Sequence, residues 1–313
     1  MDVSLVISKL IPVIIIIILG WILRRVKLIE EEENTFLKKL IVNVGLPAVM
    51  FISFLRMTIT PSLILIIPGI FILNIILLFT GKFISKLIGG KYSPFLFTGF
   101  EYGMFAIAVF TAAYGTSAAS YIAIIDLGHE LFIWFIFVTI LLSVSGKKQN
   151  ARQTIQSFVK SPIIIGIFLG IIGNIIHLEE LINNEPVSMG IIRTIEMLMS
   201  LTAPLILLSI GAGLSLSGKG LKFALKVSAI RLPIVLILSF AIGKLILKNI
   251  LRLPFGYEAA LFTLFIAPPP FIIPIFMGKE DTIERGVINT TLTFYTIISL
   301  VLFLVYFSLH PVL

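Results

Sequence analysis

The sequence of 313 residues contains no cysteine, and only 13% of its residues are charged. The absence of cysteine excludes a disulfide framework and a thiol site. A soluble domain carries about 25% charged residues, so the low charge excludes a single water-soluble globule. Hydrophobic residues make up 58% of the chain, a composition opposite to that of disordered proteins. We therefore predict an all-α polytopic membrane protein.

Catalytic motifs are also missing. His129-Glu130 is not followed by a second histidine at the spacing of an HExxH zinc site, because Ile133 stands there. The sequence shows no nucleophile elbow and no glycine-rich phosphate loop. We therefore expect no enzyme activity, no bound metal and no cofactor other than a coupling proton or sodium ion.

Ten apolar segments approach the roughly 20 residues that a bilayer span needs. The first is interpreted as a retained membrane helix, since Arg24 and Arg25 follow it and no basic region precedes it. The loops after odd-numbered segments carry about three times as many Lys and Arg residues as the others, which predicts a cell-membrane protein with both termini outside. The net charge of +8 is spread over these loops and does not indicate a nucleic-acid partner. The segments cover approximately 3–23, 36–55, 62–81, 94–113, 120–144, 161–176, 194–215, 227–247, 257–278 and 286–309.

The two halves of the chain share the order of several prolines and glycines. Gly20 matches Gly170, and Pro47 matches Pro204, with a separation that grows slowly along the chain. A repeat of five segments, an odd number, inserts its second copy with opposite orientation, as in many secondary transporters. We therefore predict ten transmembrane helices in two inverted five-helix repeats, 1–146 and 161–313, joined by a basic cytoplasmic linker at 147–160.

The fourth and ninth segments contain helix-breaking residues near their middles. The ninth carries a proline cluster, and prolines remove backbone donors and prevent a continuous helix. In the fourth segment Gly103 aligns with the first proline of that cluster, and interrupted helices at equivalent repeat positions point to a transporter binding site. Asn43 lies one turn before a proline of the second segment. The predicted substrate-binding residues are Asn43, Glu101, Tyr102, Gly103, Pro268, Pro269, Pro270 and Pro274.

Several ionisable residues fall inside predicted spans, where charge is costly and usually faces a cavity or a partner. Asp126 and Glu130 are four residues apart and share a helix face. This favours a proton or cation coupling site, and the alternative is a structural acid paired with a neighbouring His or Arg. Arg231, early in the eighth segment, is expected to extend to the membrane surface, and the alternative is that it binds an anion. The predicted ion-coupling residues are Glu101, Asp126, His129, Glu130 and Asn289.

Four stretches resemble the auxin efflux carrier family of membrane permeases. GWILRRVKLIEEEENTFLKKLIVNVGLPAVMF is similar to its amino-terminal signature, SPIIIGIFLGII and LTAPLILLSIGAGLSL to its sixth and seventh helices, and PFIIPIFMGKE to the ninth helix of the plant auxin exporters. The resemblance covers nearly the whole chain. It implies an inverted repeat distantly similar to bile-acid sodium symporters. It also implies a scaffold of helices one, two, six and seven, often dimeric, and a transport domain in which helices four and nine cross.

The resemblance further implies a small organic anion as substrate, auxin-like or a dicarboxylate such as malate or malonate. Many relatives have Asn or Pro where this chain has Glu101-Tyr102-Gly103. A carboxylate beside an anion site is unfavourable unless it is protonated, which favours proton coupling. We therefore predict a secondary transporter working by alternating access in the lipid bilayer. The alternatives are a sodium/proton antiporter or cation carrier, and a membrane sensor that transports nothing.

Overall fold

The computed structural model describes residues 3–146, 151–182, 185–214, 220–278 and 280–313. These residues form helices and connecting turns, and no β-strand occurs among them, which confirms the predicted all-α class. Within the same ranges seven helices are long and apolar enough to cross a membrane. Such helices are those of a membrane protein.

Thirteen helices are labelled here in chain order. The seven long ones are α1 (Val3–Arg25), α2 (Glu31–Leu55), α3 (Pro61–Ile88), α5 (Thr116–Val144), α9 (Pro186–Gly213), α10 (Leu221–Ile250) and α13 (Thr282–Leu309). The other three predicted segments contain the shorter apolar helices α4 (Tyr102–Tyr114), α7 (Pro162–Ile175) and α11 (Phe255–Ile266). The remaining helices are α6 (Ala151–Val159), α8 (Leu178–Ile182) and α12 (Ile273–Phe276).

The predicted linker at 147–160 is largely helical where it is described, and its first four residues lie outside the described ranges. Helix α6 occupies the rest. Its Phe158 is buried against the Phe135 ring of α5 at a centroid distance of 4.9 Å, while Ile155 is exposed. The linker is therefore an amphipathic helix that packs on the body of the protein.

The closest helix pairs are α1 with α9 and α2 with α7. Glycines make these contacts possible, since a Cβ atom on Gly20 of α1 would overlap the Leu208 carbonyl of α9. A Cβ on Gly211 of α9 would likewise overlap the Ile17 carbonyl of α1. Small residues at such positions let two backbones touch, which is how helices associate tightly without a hydrophobic driving force between them.

Large apolar side chains cover both the interior and the outside of the bundle. Ile15 of α1 and Leu65 of α3 are more than half exposed, as expected for lipid-facing positions. Phe105 and Phe110 of α4 and Phe265 of α11 are completely buried. The two short helices therefore lie at the centre, surrounded by the longer ones.

Polar contacts tie the loop after α3 to the loop before α13. The buried Tyr92 donates its hydroxyl to Asp281 Oδ2 at 2.6 Å, and Lys91 Nζ lies 3.3 Å from the same oxygen. The amide of Tyr92 donates to Glu284 Oε1 at 3.1 Å. The hydrogen bond from Tyr92 and the Lys91 ammonium hold the pKa of the Asp281 carboxyl below its usual value. This network fixes the ends of helices that enclose the centre.

The α1–α9 contact gives a direct stability test. Replacing Gly211 by Ala forces two backbones apart, and we expect a loss of about 1–3 kcal/mol. Gly190 lies in the same helix with nothing near its virtual Cβ. Gly190→Ala should therefore be neutral or stabilise by up to about 1 kcal/mol. Thermal unfolding in detergent compares the two, and equal midpoints would contradict the close packing.

Candidate functional site

Two interrupted helices meet in the middle of the protein. The first consists of a short 3₁₀ helix, Ser93–Phe97, followed by α4. The second consists of α11 followed by α12. Between their halves, residues 98–101 and 267–272 are not helical. We call these two segments together the crossing. The amide of Glu101 donates to the Pro268 carbonyl at 2.8 Å, so the segments are joined directly.

The local sequence explains both breaks. Pro268, Pro269 and Pro270 offer no amide hydrogen, so α11 cannot continue through them. On the other segment Gly99 has a φ of +69°, a conformation that favours glycine. A Cβ on Gly99 would also lie 2.7 Å from Pro270 Cγ. Gly99 therefore permits both the unwinding and the close approach.

This placement corrects the assignment of the break to Gly103. Gly103 lies within the first, π-helical turn of α4, four residues after Gly99. Sequence alignment of the two repeats matched Gly103 with Pro268, but the structure sets Gly99 against Pro270. The shift arises because Gly99, and not Gly103, has the left-handed backbone and the contact with the opposite segment. Neither property is visible in an alignment.

Glu101 is the centre of the crossing. Its side chain is buried, and its Oε1 accepts from the amide of Met104 at 3.0 Å, which caps α4. Its Oε2 accepts from the amide of Phe271 at 2.7 Å, just before α12. The carboxylate therefore satisfies backbone donors of both segments. Free amides at the start of a helix are the donors that would otherwise bind the carboxylate of an anionic ligand.

Arg231 of α10 binds backbone carbonyls at the crossing, whereas Glu101 binds backbone amides. The side chain is fully buried, so the expectation that it extends to the membrane surface is wrong. Its Nη1 donates to the Leu96 carbonyl at 2.6 Å and its Nη2 to the Gly99 carbonyl at 2.9 Å, with the Ala267 carbonyl at 3.4 Å. The guanidinium therefore bonds the carbonyl ends of the half-helices that precede the crossing, where a positive charge is favourable.

Two aromatic rings enclose the guanidinium of Arg231. The ring centroids of Phe100 and Tyr295 each lie 5.2 Å from its central carbon, a cation–π geometry. Phe100 also stacks on Phe265 of α11 at 4.8 Å. The sequence signal for this role was a single arginine inside an apolar run, which did not reveal its partners.

Two predicted ion-coupling residues of α5 contact the crossing or each other. The Phe100 amide donates to His129 Nε2 at 2.9 Å, and His129 Nδ1 lies 2.9 Å from Asp126 Oδ1. Both side chains are buried, and Asp126 Oδ2 has no hydrogen-bond partner among the described residues. Glu130, one residue further along α5, is partly buried.

Further polar groups complete the crossing. Asn74 of α3 accepts from the Gly99 amide through Oδ1 at 3.2 Å, and its carbonyl accepts from Thr98 Oγ1 at 2.7 Å. Ser299 of α13 donates to the carbonyl of Ile266, the last residue of α11. Thr98 and Ser299 are common membrane-helix residues, so nothing in the sequence marked them as site residues.

The other predicted site residues are distributed differently. Tyr102 is buried and its hydroxyl lies 3.6 Å from Met50 Sδ, while Pro274 is partly buried in α12. Asn43 is exposed on α2 and donates to the Lys39 carbonyl at 2.7 Å. Asn289 is exposed on α13. The structure thus brings Glu101, His129 and the proline cluster together and builds the crossing without Asn43 or Asn289.

The site contains one arginine, several acids and many backbone groups. Among the described residues no three His, Cys, Asp or Glu side chains stand close enough to hold a metal ion. The backbone dipoles of the site can bind charged groups, and its buried acids and His129 can gain or lose protons.

Arg231 should be essential to the fold of the crossing. Arg231→Gln leaves buried carbonyls without a charged donor, and we expect a loss of about 3 kcal/mol or more. Arg193 is exposed on α9, so Arg193→Gln should change the unfolding free energy by less than about 0.5 kcal/mol. Denaturant or thermal unfolding in detergent measures both. Wild-type stability of Arg231→Gln would show that these contacts contribute little.

Comparison with models of protein families gives no match for this chain, and comparison with curated proteins gives none either.

Proposed function

We propose that this protein is a secondary transporter of the auxin efflux carrier type, which moves a small organic anion across the cell membrane by alternating access. In this proposal ten spans form two inverted five-helix repeats, 1–146 and 161–313. The observation that carries it is the meeting of two interrupted helices at their broken points. Irregular backbone at membrane depth is tolerated where it is enclosed by protein or lines a cavity, and such breaks mark transporter sites.

The helix contacts support the inverted repeat. Gly20 of α1 lies against the Leu208 carbonyl of α9, and its sequence match Gly170 of α7 lies against the Phe51 carbonyl of α2. Leu208 and Phe51 each follow the matched proline of their repeat by four residues. Helix α1 of the first repeat thus contacts α9 of the second in the same way as α7 of the second repeat contacts α2 of the first. A twofold axis in the membrane plane, which exchanges the two repeats, would relate the contacts in this way.

The division into scaffold and transport domain also finds support. Glycines lie at the contacts of α1 with α9, α2 with α7 and α2 with α9. Side chains of α3, α5, α10 and α13 lie at the crossing. The scaffold helices carry exposed apolar faces, including Ile15 of α1 and Ile165 of α7. In the proposal these faces contact lipid and, following the family resemblance, a second copy in a homodimer.

A specific observation favours one alternative, a proton or cation carrier. The carboxylate of Glu101 already occupies the backbone donors that would hold a transported anion. The second oxygen of Asp126 is buried and has no hydrogen-bond partner among the residues that the structure describes, so this acid would be costly to keep charged. These acids would then carry the transported proton or cation themselves.

Flux through liposomes containing the purified protein distinguishes the candidates. Under an imposed pH gradient, uptake of radiolabelled malonate or indole acetate above that of protein-free liposomes is the expected result. Proton or radioactive sodium flux without any organic anion would favour the carrier alternative. If none of the probes is transported, the transporter proposal is wrong and the membrane sensor remains as the alternative.

Glu101→Gln tests whether the crossing is the transport site. Its amide can accept only through one oxygen, so one of the two charge-assisted bonds is lost, and we expect flux to fall by about tenfold or more. Glu32→Gln, on the exposed face of α2, is the matched control and should transport normally. Normal flux in Glu101→Gln protein that remains folded would exclude the crossing as the site.

A further inference from the structure

Three consecutive amides in the crossing are held by three different parts of the protein. The Gly99 amide donates to Asn74 of α3, the Phe100 amide to His129 of α5, and the Glu101 amide to the Pro268 carbonyl. An asparagine oxygen and a backbone carbonyl accept hydrogen bonds at any ordinary pH. The imidazole is different, because it accepts only while the bonded nitrogen carries no proton. Only the middle of the three attachments is titratable.

The partners of His129 define its protonation state. A backbone N–H can only donate, so the Nε2 atom that receives the Phe100 amide must be unprotonated. The proton of the neutral ring is then on Nδ1, where it donates to Asp126 Oδ1 at 2.9 Å. The observed arrangement therefore requires a neutral His129 in this single tautomer.

We propose that the Asp126–His129 pair is a proton-responsive switch of the crossing: a proton added to His129 Nε2 removes the acceptor of the Phe100 amide and releases the segment that carries Glu101. This inference rests on the proposed function, for which it supplies the point of proton coupling. One proton is taken up, and a new Nε2–H bond forms. One hydrogen bond, Phe100 N–H to Nε2, is lost, and the Nδ1–H to Asp126 bond is kept.

Losing this bond matters because the amide belongs to a buried residue, which is shielded from solvent. Phe100 is 1% exposed, and its ring is stacked on Phe265. Two donors, Nε2–H and the amide N–H, would face each other in a buried place, and an unsatisfied buried donor is costly. The segment 98–101 must therefore move. Glu101, which bonds both segments of the crossing, is the residue that follows Phe100.

The surrounding charges act on a protonated His129 in opposite directions. Burial and Arg231 of α10 oppose a positive ring, whereas Glu130 of α5 and Glu101 of the crossing favour it. Asp126 also favours it, since its Oδ1 lies 2.9 Å from Nδ1. Tyr102, at the start of α4, faces the carboxyls of Asp126 and Glu130. Asp126 Oδ2, which has no hydrogen-bond partner in the described part of the chain, offers an arriving proton a buried acceptor beside the ring.

Hydrogen exchange of peptides covering 98–101, measured on the full chain in detergent, tests the switch. Protection is corrected for the intrinsic pH dependence of exchange. In the wild type we expect protection to fall on acidification by up to about tenfold per pH unit, the limit for one bound proton. His129→Gln keeps an acceptor for the Phe100 amide but cannot titrate, so its protection should be independent of pH. His177→Gln is the control on an exposed histidine and should behave as wild type.

Protection independent of pH in the wild type, or an equal fall in His129→Gln, would overturn the proposal. The chain has three histidines, so ¹⁵N spectra of the wild type, His177→Gln and His310→Gln identify the His129 ring nitrogens by elimination even if His129→Gln does not fold. A proton on Nε2 at neutral pH would also overturn it. None of these measurements needs a transported substrate. The switch can therefore be disproved while flux persists, or supported while no flux is found.

Discussion

A helix that is interrupted inside apolar surroundings exposes backbone groups, and each of them must find a partner without the help of bulk water. This constraint organises the centre of the protein. Arg231 bonds the carbonyls of the preceding halves, and Glu101 accepts from amides of the following halves. Asn74 and Ser299 supply neutral partners from neighbouring helices. The long helices surround this centre and hold these side chains in position.

The use of charged side chains as partners has a consequence for function. In the proposed transporter, the charge of a site that holds its own carboxylate is balanced before any substrate arrives. An incoming anion must then displace Glu101 or meet it in a neutral form, whereas a proton or cation would be attracted to it. The link from Glu101 through Phe100 to His129 and Asp126 gives the site a route by which a change of protonation reaches the crossing.

Sequence patterns located several features correctly and misplaced others. The proline cluster at 268–270 fixed one break, because a helix cannot pass through it. The second break was assigned to Gly103, whereas Gly99 has the left-handed backbone. Arg231 was expected at the membrane surface, although long side chains can equally reach buried carbonyls. In each case the error concerned which partner a residue finds, and the partner lies on a different helix.

The sequence by itself determined the all-helical membrane class, the approximate positions of the apolar helices and the impossibility of a continuous helix at the prolines. These follow from composition and local backbone chemistry, which act within a few residues of the chain. Only the tertiary structure decided that Glu101 caps both interrupted helices, that His129 accepts the Phe100 amide, and that Asn43 and Asn289 remain exposed. Such contacts join residues far apart in sequence, and they depend on how the helices pack rather than on what each helix contains.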